Sequence, residues 1–314
     1  MLSLLACGAE HRGFADPASL EPVALEQGQT LRVMATTNIV GDVVRHVGGD
    51  RIDLAVLMGV GVDPHSYVPA PADVARVHDA HVLFINGAGL EAGIEEMLDS
   101  AGGDAVVISL AEGLELRPFA GVDRGDEEEH GNEDADHDHG DLDPHVWFDV
   151  QNVMHWVETI AATLSTLDPE GAGVYRANAE SYTATLAELD AWVARELASI
   201  PEENRLLVTN HPVFGYLAAR YGLQQMGAIY PVNPSAEPSA QDIAALEDFL
   251  RQQGAPAIFS ESTVNPKLAQ QIANDTGIEL IALYTGSLGE PGSGAETYVD
   301  LIRYDVRRIV EALK

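Results

Sequence analysis

The chain of 314 residues is long enough for two domains of ordinary size, and its 46% apolar residues can fill two cores. With 17 Lys and Arg against 50 Asp and Glu, the formal net charge is -33, which repels nucleic acids and anionic lipids and attracts cations. Only one cysteine is present, which excludes a disulfide framework and a Cys-rich zinc site. Any metal must therefore be bound by His and carboxylate side chains.

The first residues, MLSLLACGAE, are typical of the end of a secretory signal. The tetrapeptide Leu4-Leu5-Ala6-Cys7 resembles the lipobox of bacterial lipoproteins, in which the cysteine carries the lipid. A basic n-region and a longer apolar run are missing, so we expect a truncated signal, with a frayed apolar terminus as the alternative. Residues 8–29 are polar and aperiodic, and we assign residues 1–30 to a signal remnant and lipoprotein tether.

From Leu31 onward, short apolar runs alternate with amphipathic helical patterns. The run 31–37 predicts a strand, and the apolar residues of the next segment recur at helical spacing until a Gly pair ends it. Alternation of this kind predicts a parallel sheet with helices on both faces. It continues through IDLAVLM, PADVARVHDA, HVLFIN, GIEEMLDSA and DAVVISL.

A long helical pattern separates this layer from a second one. Asp149 is expected to cap a helix that ends near Leu167, and an uninterrupted pattern then runs from about Gly171 to Ser199. The second layer has predicted strands in RLLVTN, LQQMGAIY, PAIFSES and IELIALY, and helices at 213–221, 240–253, 266–276 and from about Ala295.

These patterns predict an α/β fold of two lobes, each with a mostly parallel sheet flanked by helices, joined by one long rigid helix. The expected boundaries are 31–169 for the N-terminal lobe, 170–200 for the linking helix and 201–314 for the C-terminal lobe.

The histidines divide by context. Those within helical or strand patterns are expected to be satisfied by hydrogen bonds, and His11 belongs to the tether. Three others each neighbour a proline, in Asp63-Pro64-His65, Asp143-Pro144-His145 and Asn210-His211-Pro212. The histidines within helical or strand patterns are His46, His78, His81 and His155. A further group, His130, His137 and His139, lies in an acidic loop.

His65 and His211 follow predicted strands, and ligands of open parallel sheets bind at the carboxyl ends of strands. Three neutral imidazoles and one further ligand complete the tetrahedron of Zn²⁺. The adjacent prolines stiffen each loop and lower the entropic cost of holding a ligand. Ordinary Asp-Pro turn chemistry, with the histidines incidental, is the alternative.

Five phrases in the same order resemble the zinc- and manganese-binding solute-binding proteins of bacterial ABC importers, the group that contains the periplasmic protein of the high-affinity zinc importer. They are VDPHSYVPAPADV, LDPHVWFD, VYRANAESYTATLAELDAW, TNHPVFGYLAARYGL and IFSESTVNPKLAQQIANDTG. The resemblance runs from about residue 31 to the C-terminus. It implies two α/β lobes bridged by a rigid helix, one metal between them, and His65, His145 and His211 as the three histidine ligands.

The resemblance also bears on the metal. Manganese-selective members carry a carboxylate where this sequence has His211, and imidazole suits zinc better than manganese, so we expect Zn²⁺ as the transported ligand. Members often supply an aspartate as fourth ligand where this sequence has Gly286. The fourth position is therefore open to a water, Glu290 or Glu261, and the last of these is expected to orient a ligand histidine or to face solvent.

The acidic loop 123–143 contains eleven carboxylates, three histidines and one arginine, and is too hydrophilic to bury. Zinc-binding members of the family resemble this chain in carrying such a loop just before the second ligand histidine. Mobile imidazoles among carboxylates form weak metal sites, so we expect His130, His137 and His139 to concentrate zinc near the main site. A purely solubilising insertion is the alternative.

Together these features predict an extracytoplasmic, monomeric zinc-binding protein without a nucleic-acid partner, and the resemblance implies that it delivers Zn²⁺ to the membrane permease of an ABC importer. Its only membrane association would be through a lipid on Cys7. A manganese- or iron-binding homologue or an adhesin of the same fold remains an alternative, as does a three-histidine zinc hydrolase. Against the hydrolase, the sequence has no placed general base, no G-x-S-x-G motif and no phosphate-binding Gly loop.

Overall fold

The computed structural model describes residues 14–91, 93–94, 105–118, 142–209, 212–228, 240–263 and 266–314. Within these ranges the chain forms two four-stranded sheets in which neighbouring strands are parallel. The predicted α/β fold with two lobes and a long helix is thereby confirmed. Of the helices in the described ranges, none has both the length and the apolar character needed to cross a bilayer.

The N-terminal lobe contains the first sheet and the helices that cover it. Its strands are β1 Leu31–Ala35, β2 Ile52–Val56, β3 Val82–Ile85 and β4 Val106–Ser109, and its helices are α1 Asn38–Gly48, α2 Pro71–Asp79 and α3 Val150–Leu167. The strands pair in the order β2-β1-β3-β4, so the direction of strand succession reverses between β1 and β3. A crevice forms at the carboxyl ends of strands where this reversal occurs.

Helix α1 illustrates how local sequence fixes these elements. Thr37 Oγ1 accepts a hydrogen bond from the N–H of Val40 at 3.1 Å, which caps the first turn. Gly49 ends the helix at a φ of 56°, a conformation that glycine adopts without strain. The buried face stabilises the fold by about 1.5–3 kcal/mol per large apolar side chain. It consists of Ile39, Val40, Val43, Val44 and Val47.

Residues 14–30, predicted to be a tether, are packed in part on the N-terminal lobe. The N–H of Val23 donates to the carbonyl of Leu167 at 2.8 Å. Part of the segment assigned to the tether is therefore packed, because a few apolar side chains suffice to fasten an otherwise polar segment to the core. Those side chains are Ala15, Leu20, Val23 and Leu25.

Helix α4, Ala172–Ala198, has 27 residues and matches the helical pattern expected from about Gly171 to Ser199 within a residue at each end. Its start is fastened to the N-terminal lobe through Asp168, whose Oδ2 accepts from Arg51 Nε at 2.6 Å and from the Tyr175 hydroxyl at 2.7 Å. The hydrogen bond from the Arg51 guanidinium holds the pKa of the Asp168 carboxyl below its usual range. The network is therefore charged at neutral pH.

The C-terminal lobe contains the second sheet. Its strands are β5 Leu206–Thr209, β6 Gln224–Ala228, β7 Ala257–Glu261 and β8 Glu279–Leu283, and its helices are α5 Gly215–Tyr221, α6 Ala240–Gln253, α7 Lys267–Thr276 and α8 Tyr298–Leu313. The order β6-β5-β7-β8 repeats the reversal of the first sheet, here between β5 and β7. Each lobe thus offers the carboxyl ends of its two central strands to a crevice.

Helix α8 contacts both lobes. The N–H of Tyr298 donates to Asp42 Oδ2 in α1 at 2.9 Å, and the Tyr298 hydroxyl donates to the carbonyl of Trp147 at 2.8 Å. Tyr298 is fully buried, and α8 also packs along α4. Burial raises the pKa of the Asp42 carboxyl, although the hydrogen bond from Tyr298 acts in the opposite direction. The lobes are therefore joined by packed side chains as well as by the linking helix.

Candidate metal centre

Two of the three proline-flanked histidines meet in the structure. His65 Nε2 and His145 Nε2 lie 3.1 Å apart, with ring centroids separated by 5.1 Å and ring planes inclined by 56°. Two nitrogens at about 2.0–2.1 Å from one tetrahedral Zn²⁺ are separated by about 3.3 Å. The observed separation is close to that value, so the two imidazoles converge as ligands of one ion would.

The ring of His145 is oriented by Asp143. Asp143 Oδ1 lies 2.7 Å from His145 Nδ1 and 3.0 Å from the His145 backbone nitrogen. Both residues are 1% exposed. Since a carboxylate oxygen can only accept, the imidazole proton is on Nδ1, and the Nε2 lone pair is directed at His65. A carboxylate that orients a histidine in this way raises the basicity of the nitrogen offered to a metal.

Asp143 is itself held from the opposite lobe. The hydroxyl of Tyr216, in α5, donates to the Asp143 carbonyl at 3.0 Å and accepts from the Arg117 N–H at 3.1 Å. Burial raises the pKa of Tyr216 to about 12, so this hydroxyl keeps its proton. A Cβ placed on Gly215 would lie 2.4 Å from Asp143 Oδ2, so only glycine allows this approach of α5. The C-terminal lobe thus helps to fix the residue that orients His145.

A buried polar frame at the end of β3 holds the His145 loop from the other side. Asn86 Nδ2 donates to the carbonyl of Pro144 at 3.0 Å. The Glu91 carboxylate accepts from Thr36 Oγ1 at 2.6 Å and from the N–H groups of Asn86 and Gly87 at 2.7 and 3.0 Å. Sequence reasoning missed Asn86 and Glu91. Their signal was the Asn-Gly-Ala-Gly turn after a buried strand.

The His65 loop has fewer anchors. Asp63 Oδ1 accepts from the His65 N–H at 3.0 Å, but the other oxygen accepts from Ser66 Oγ at 2.9 Å and not from the imidazole. His65 is exposed, although Pro64 beside it is buried. The two aspartates therefore differ in what they hold: Asp63 contacts the backbone of His65 and Ser66, whereas Asp143 contacts both the backbone and the ring of His145.

Glu261, the predicted fourth ligand or orienting residue, lies buried at the end of β7. Its Oε2 accepts from Thr285 Oγ1 at 2.7 Å, and the Thr285 carbonyl accepts from Trp147 Nε1 at 3.1 Å. A Cβ on Gly286 would lie 3.1 Å from Pro64 Cδ, so the position without a carboxylate packs directly against the His65 loop. Glu290 is exposed and does not turn inward.

The remaining predicted site residues lie outside the described residues: His211, His130, His137, His139 and Cys7. Within the described ranges, no group of three or more His, Cys, Asp or Glu side chains could hold one metal ion. His65 and His145 are thus two converging nitrogens whose further partners remain predictions.

Three of the four histidines assigned to ordinary hydrogen bonding make such bonds, whereas His78 is exposed and its Nδ1 lies 3.6 Å from Asp79 Oδ1. His46 Nδ1 lies 2.8 Å from the Asp42 carbonyl, and His155 Nε2 lies 2.9 Å from the Glu112 carbonyl. His81 Nδ1 accepts from the Arg32 N–H at 3.0 Å.

The chain matches the family described as zinc-uptake complex component A, periplasmic, over residues 33–312. The manganese-binding lipoprotein MntA of Halalkalibacterium halodurans is 33% identical over 308 residues, which cover 98% of this chain and 93% of that protein. The manganese ABC transporter substrate-binding lipoprotein PsaA of Streptococcus pneumoniae (strain TIGR4) is 31% identical over 290 residues, covering 91% and 90%. The solved periplasmic zinc binding protein TroA of Treponema pallidum superposes with a TM-score of 0.78 at 30% identity, covering 91% of this chain and 99% of that one.

Proposed function

Because the chain belongs to the zinc-uptake complex component A family, the metal-binding solute-binding proteins of ABC importers, we propose that its cargo is Zn²⁺. Membership makes it an extracytoplasmic transport component and not an enzyme. Family membership thereby excludes the hypothesis of a three-histidine zinc hydrolase. The observation that supports metal capture is the convergence of His65 Nε2 and His145 Nε2 at 3.1 Å, and the support for zinc over manganese is the imidazole that the sequence has at position 211.

His211 is proposed as the third ligand. It follows β5, a central strand of the second sheet, so its position in the sequence directs it to the carboxyl edge that faces the crevice. A third imidazole would make the donor set richer in nitrogen than the carboxylate-containing sites that suit manganese. The fourth ligand is proposed to be a water, with Glu261 holding Thr285 and not the ion.

Capture uses the chemistry of the two histidine loops. An imidazole binds metal only through an unprotonated nitrogen, and in the neutral ring the Asp143–His145 hydrogen bond places the proton on Nδ1 and leaves the lone pair on Nε2. The exposed His65 can bind an incoming ion first, and His145 Nε2 then binds as the second ligand. Release to the permease then requires the lobes to separate or one histidine to turn away.

We further propose that His130, His137 and His139 act as weak accessory sites that raise the local zinc concentration. Their support is chemical, since the loop 123–143 mixes imidazoles with eleven carboxylates and leads directly into the His145 phrase. Cys7 is proposed to carry a lipid, because the relatives MntA and PsaA are named lipoproteins. The protein is proposed to act as a monomer.

A manganese cargo is the second candidate function. It is favoured by the names of MntA and PsaA, which are described as manganese-binding. The residue at position 211 distinguishes the two candidate metals, since a carboxylate in place of His211 would favour Mn²⁺, the harder ion.

Calorimetric titration of the metal-stripped protein with Zn²⁺ and with Mn²⁺ tests the proposal. We expect one tight zinc event that survives deletion of residues 123–141, and weaker zinc events that disappear with the deletion. The variants His65→Ala, His145→Ala and His211→Ala should each lose tight binding, whereas the control His155→Ala should not, because His155 only contacts a backbone carbonyl.

His211→Glu sharpens the choice of metal. We expect this variant to lose zinc affinity and to gain manganese affinity relative to the wild type. Tighter binding of Mn²⁺ than of Zn²⁺ by the wild type would overturn the zinc proposal. Tight binding that disappeared with residues 123–141 would overturn the three-histidine site.

A further inference from the structure

The loop 285–288 belongs to the C-terminal lobe by sequence, because it directly follows β8. Three of its four residues nevertheless form hydrogen bonds to the N-terminal lobe. Thr285 and Ser287 are each 1% exposed and Leu288 is 7% exposed. Hydrogen bonds at such depth are costly to break unless new partners replace them.

Ser287 and Asn38 form the centre of this contact. Asn38 Nδ2 donates to Ser287 Oγ at 2.9 Å, and the N–H of Leu288 donates to Asn38 Oδ1 at 2.8 Å. Ser287 Oγ also accepts from the N–H of Gly61 at 2.8 Å. The Asn38 side chain, at the start of α1, therefore both donates to loop 285–288 and accepts from it. These bonds hold loop 285–288 against the loop that leads to His65.

The same loop reaches both histidine loops. Its Thr285 carbonyl accepts from the indole of Trp147, whose ring meets the His145 ring edge to face at a centroid distance of 5.3 Å. Gly286 lies against Pro64, the residue before His65. Movement of the loop away from the N-terminal lobe must therefore disturb the neighbours of both histidines.

We propose that Asn38 and Ser287 form an inter-lobe clasp that sets how fast the bound metal leaves. While the clasp is closed, loop 285–288 covers the two histidine loops and keeps them in register. The lobes cannot part at this edge until the Asn38 and Gly61 hydrogen bonds break. Asn38 and Ser287 are positioning residues, since neither offers a ligand to the ion. This inference rests on the proposed function, because it needs a metal bound at His65 and His145.

The test measures release of Zn²⁺ from the loaded full-length chain after mixing with excess chromophoric chelator. Asn38→Ala removes two hydrogen bonds to the loop, and each neutral bond typically changes an equilibrium by roughly three- to tenfold. We expect release to be faster by about tenfold or more in Asn38→Ala and by roughly threefold or more in Ser287→Ala. Asn38→Asp keeps the acceptor for Leu288 and loses the donor to Ser287, so its rate should lie between wild type and Asn38→Ala.

Asn178→Ala is the matched control. Asn178 is also half-buried, and its Nδ2 donates to the Val47 carbonyl at 2.9 Å, but it joins α4 to α1 away from the loop. It should lower the melting temperature by less than Asn38→Ala, which also loses a hydrogen bond to the Gly59 carbonyl, and it should leave the release rate unchanged. In the double variant Asn38→Ala/Ser287→Ala, the release rate should increase by less than the product of the two single-variant increases, because the residues act on one contact.

Release rates of Asn38→Ala and Ser287→Ala equal to wild type, with zinc still bound one to one, would overturn the clasp and leave the proposed function intact. A wild type that does not bind zinc would instead overturn the proposed function. The same rate comparison on the manganese-loaded protein would then decide the clasp by itself.

Discussion

The tripeptide Asp-Pro-His occurs twice, in two different environments. In both copies the aspartate accepts from the histidine N–H at 3.0 Å, so the local turn is the same. In the second copy the aspartate also binds the imidazole ring, and aspartate, proline and histidine are all buried. In the first copy the aspartate binds Ser66 instead and the histidine is exposed.

The two identical Asp-Pro-His tripeptides therefore differ in their structural roles. His145 is fixed by Asp143, by the Asn86 contact to Pro144 and by Tyr216 from the other lobe. His65 is exposed, and Asp63 accepts from its backbone N–H and from Ser66 Oγ. The second loop is therefore the buried side of the site and the first is the exposed side, so we expect exchange with solvent to occur at the first.

The largest expected effect separates the two aspartates. Asp143→Ala removes the acceptor for the ring and the N–H of His145, so metal affinity should fall by about 10–100-fold and the free energy of unfolding by about 2 kcal/mol or more. Asp63→Ala should lower affinity by less than about threefold, because it removes only exposed turn contacts. Titration calorimetry and thermal unfolding measure both. Equal losses in the two variants would contradict the different structural roles of the two loops.

The next effect tests the support from the opposite lobe. Tyr216→Phe removes only the hydroxyl that contacts Asp143 and Arg117, and should lower metal affinity by about fivefold, the value of one buried hydrogen bond. Tyr221→Phe is the control on the same helix, since its hydroxyl binds Asp190 at 2.7 Å and does not contact the site. Both variants should lose similar stability, and only the first should lose affinity. An affinity loss in Tyr221→Phe of the same size would point to a general loosening of α5.

A third experiment asks whether the distant end of α3 also fixes the second loop. The folded-state pKa of Asp168 lies below its ordinary value, so the stability from its pairing is present above pH ~4 and is lost as the pH falls through the folded-state pKa. Asp168→Asn should therefore be less stable than wild type at neutral pH by about 1 kcal/mol, because Arg51 is partly exposed. The difference should shrink in acid. Unfolding at pH 7 and pH 3 measures this, and zinc affinity at pH 7 should not change.

The smallest effect concerns the two prolines. Pro64→Ala and Pro144→Ala should each cost about 0.4–1 kcal/mol of stability, because both increase the conformational freedom of the unfolded chain. Only Pro64→Ala should weaken metal binding, by about twofold, since Asp63 contacts the backbone of His65, whereas Asp143 also holds the imidazole ring of His145. A larger affinity loss in Pro144→Ala would mean that the frame around His145 is weaker than its hydrogen bonds suggest.

The alternation of apolar runs and helical patterns predicted the fold well. Elements such as α4 and α6 depend on periodicity and capping within one segment, which the sequence displays directly. His65 was expected at a strand end, and its grouping with His145 came from the repeated tripeptide and the family resemblance; the two rings lie together in the structure. The packing of segment 14–30 was not predicted, because four apolar side chains in a polar stretch are a weak signal.

The supporting residues of the site could not be predicted from local patterns. Asn38 and Ser287 are separated by 249 positions, and nothing in either neighbourhood specifies the other. Asp143 and Asp63 stand in the same tripeptide, so no local feature distinguishes the buried carboxylate from the half-buried one. The role of Glu261 stays a prediction, and its hydrogen bond to Thr285 supports an orienting role over direct ligation.

The contact between Asp42 and Tyr298 has a consequence for folding. The first turn of the last helix obtains one of its hydrogen-bond acceptors from the first helix of the chain, across a sequence separation of 256 residues. The C-terminal helix therefore cannot reach its native end state until the N-terminal lobe has formed. Heating should melt the two lobes in one cooperative calorimetric transition, and a separately expressed C-terminal lobe should unfold at a lower temperature than the same residues in the full chain.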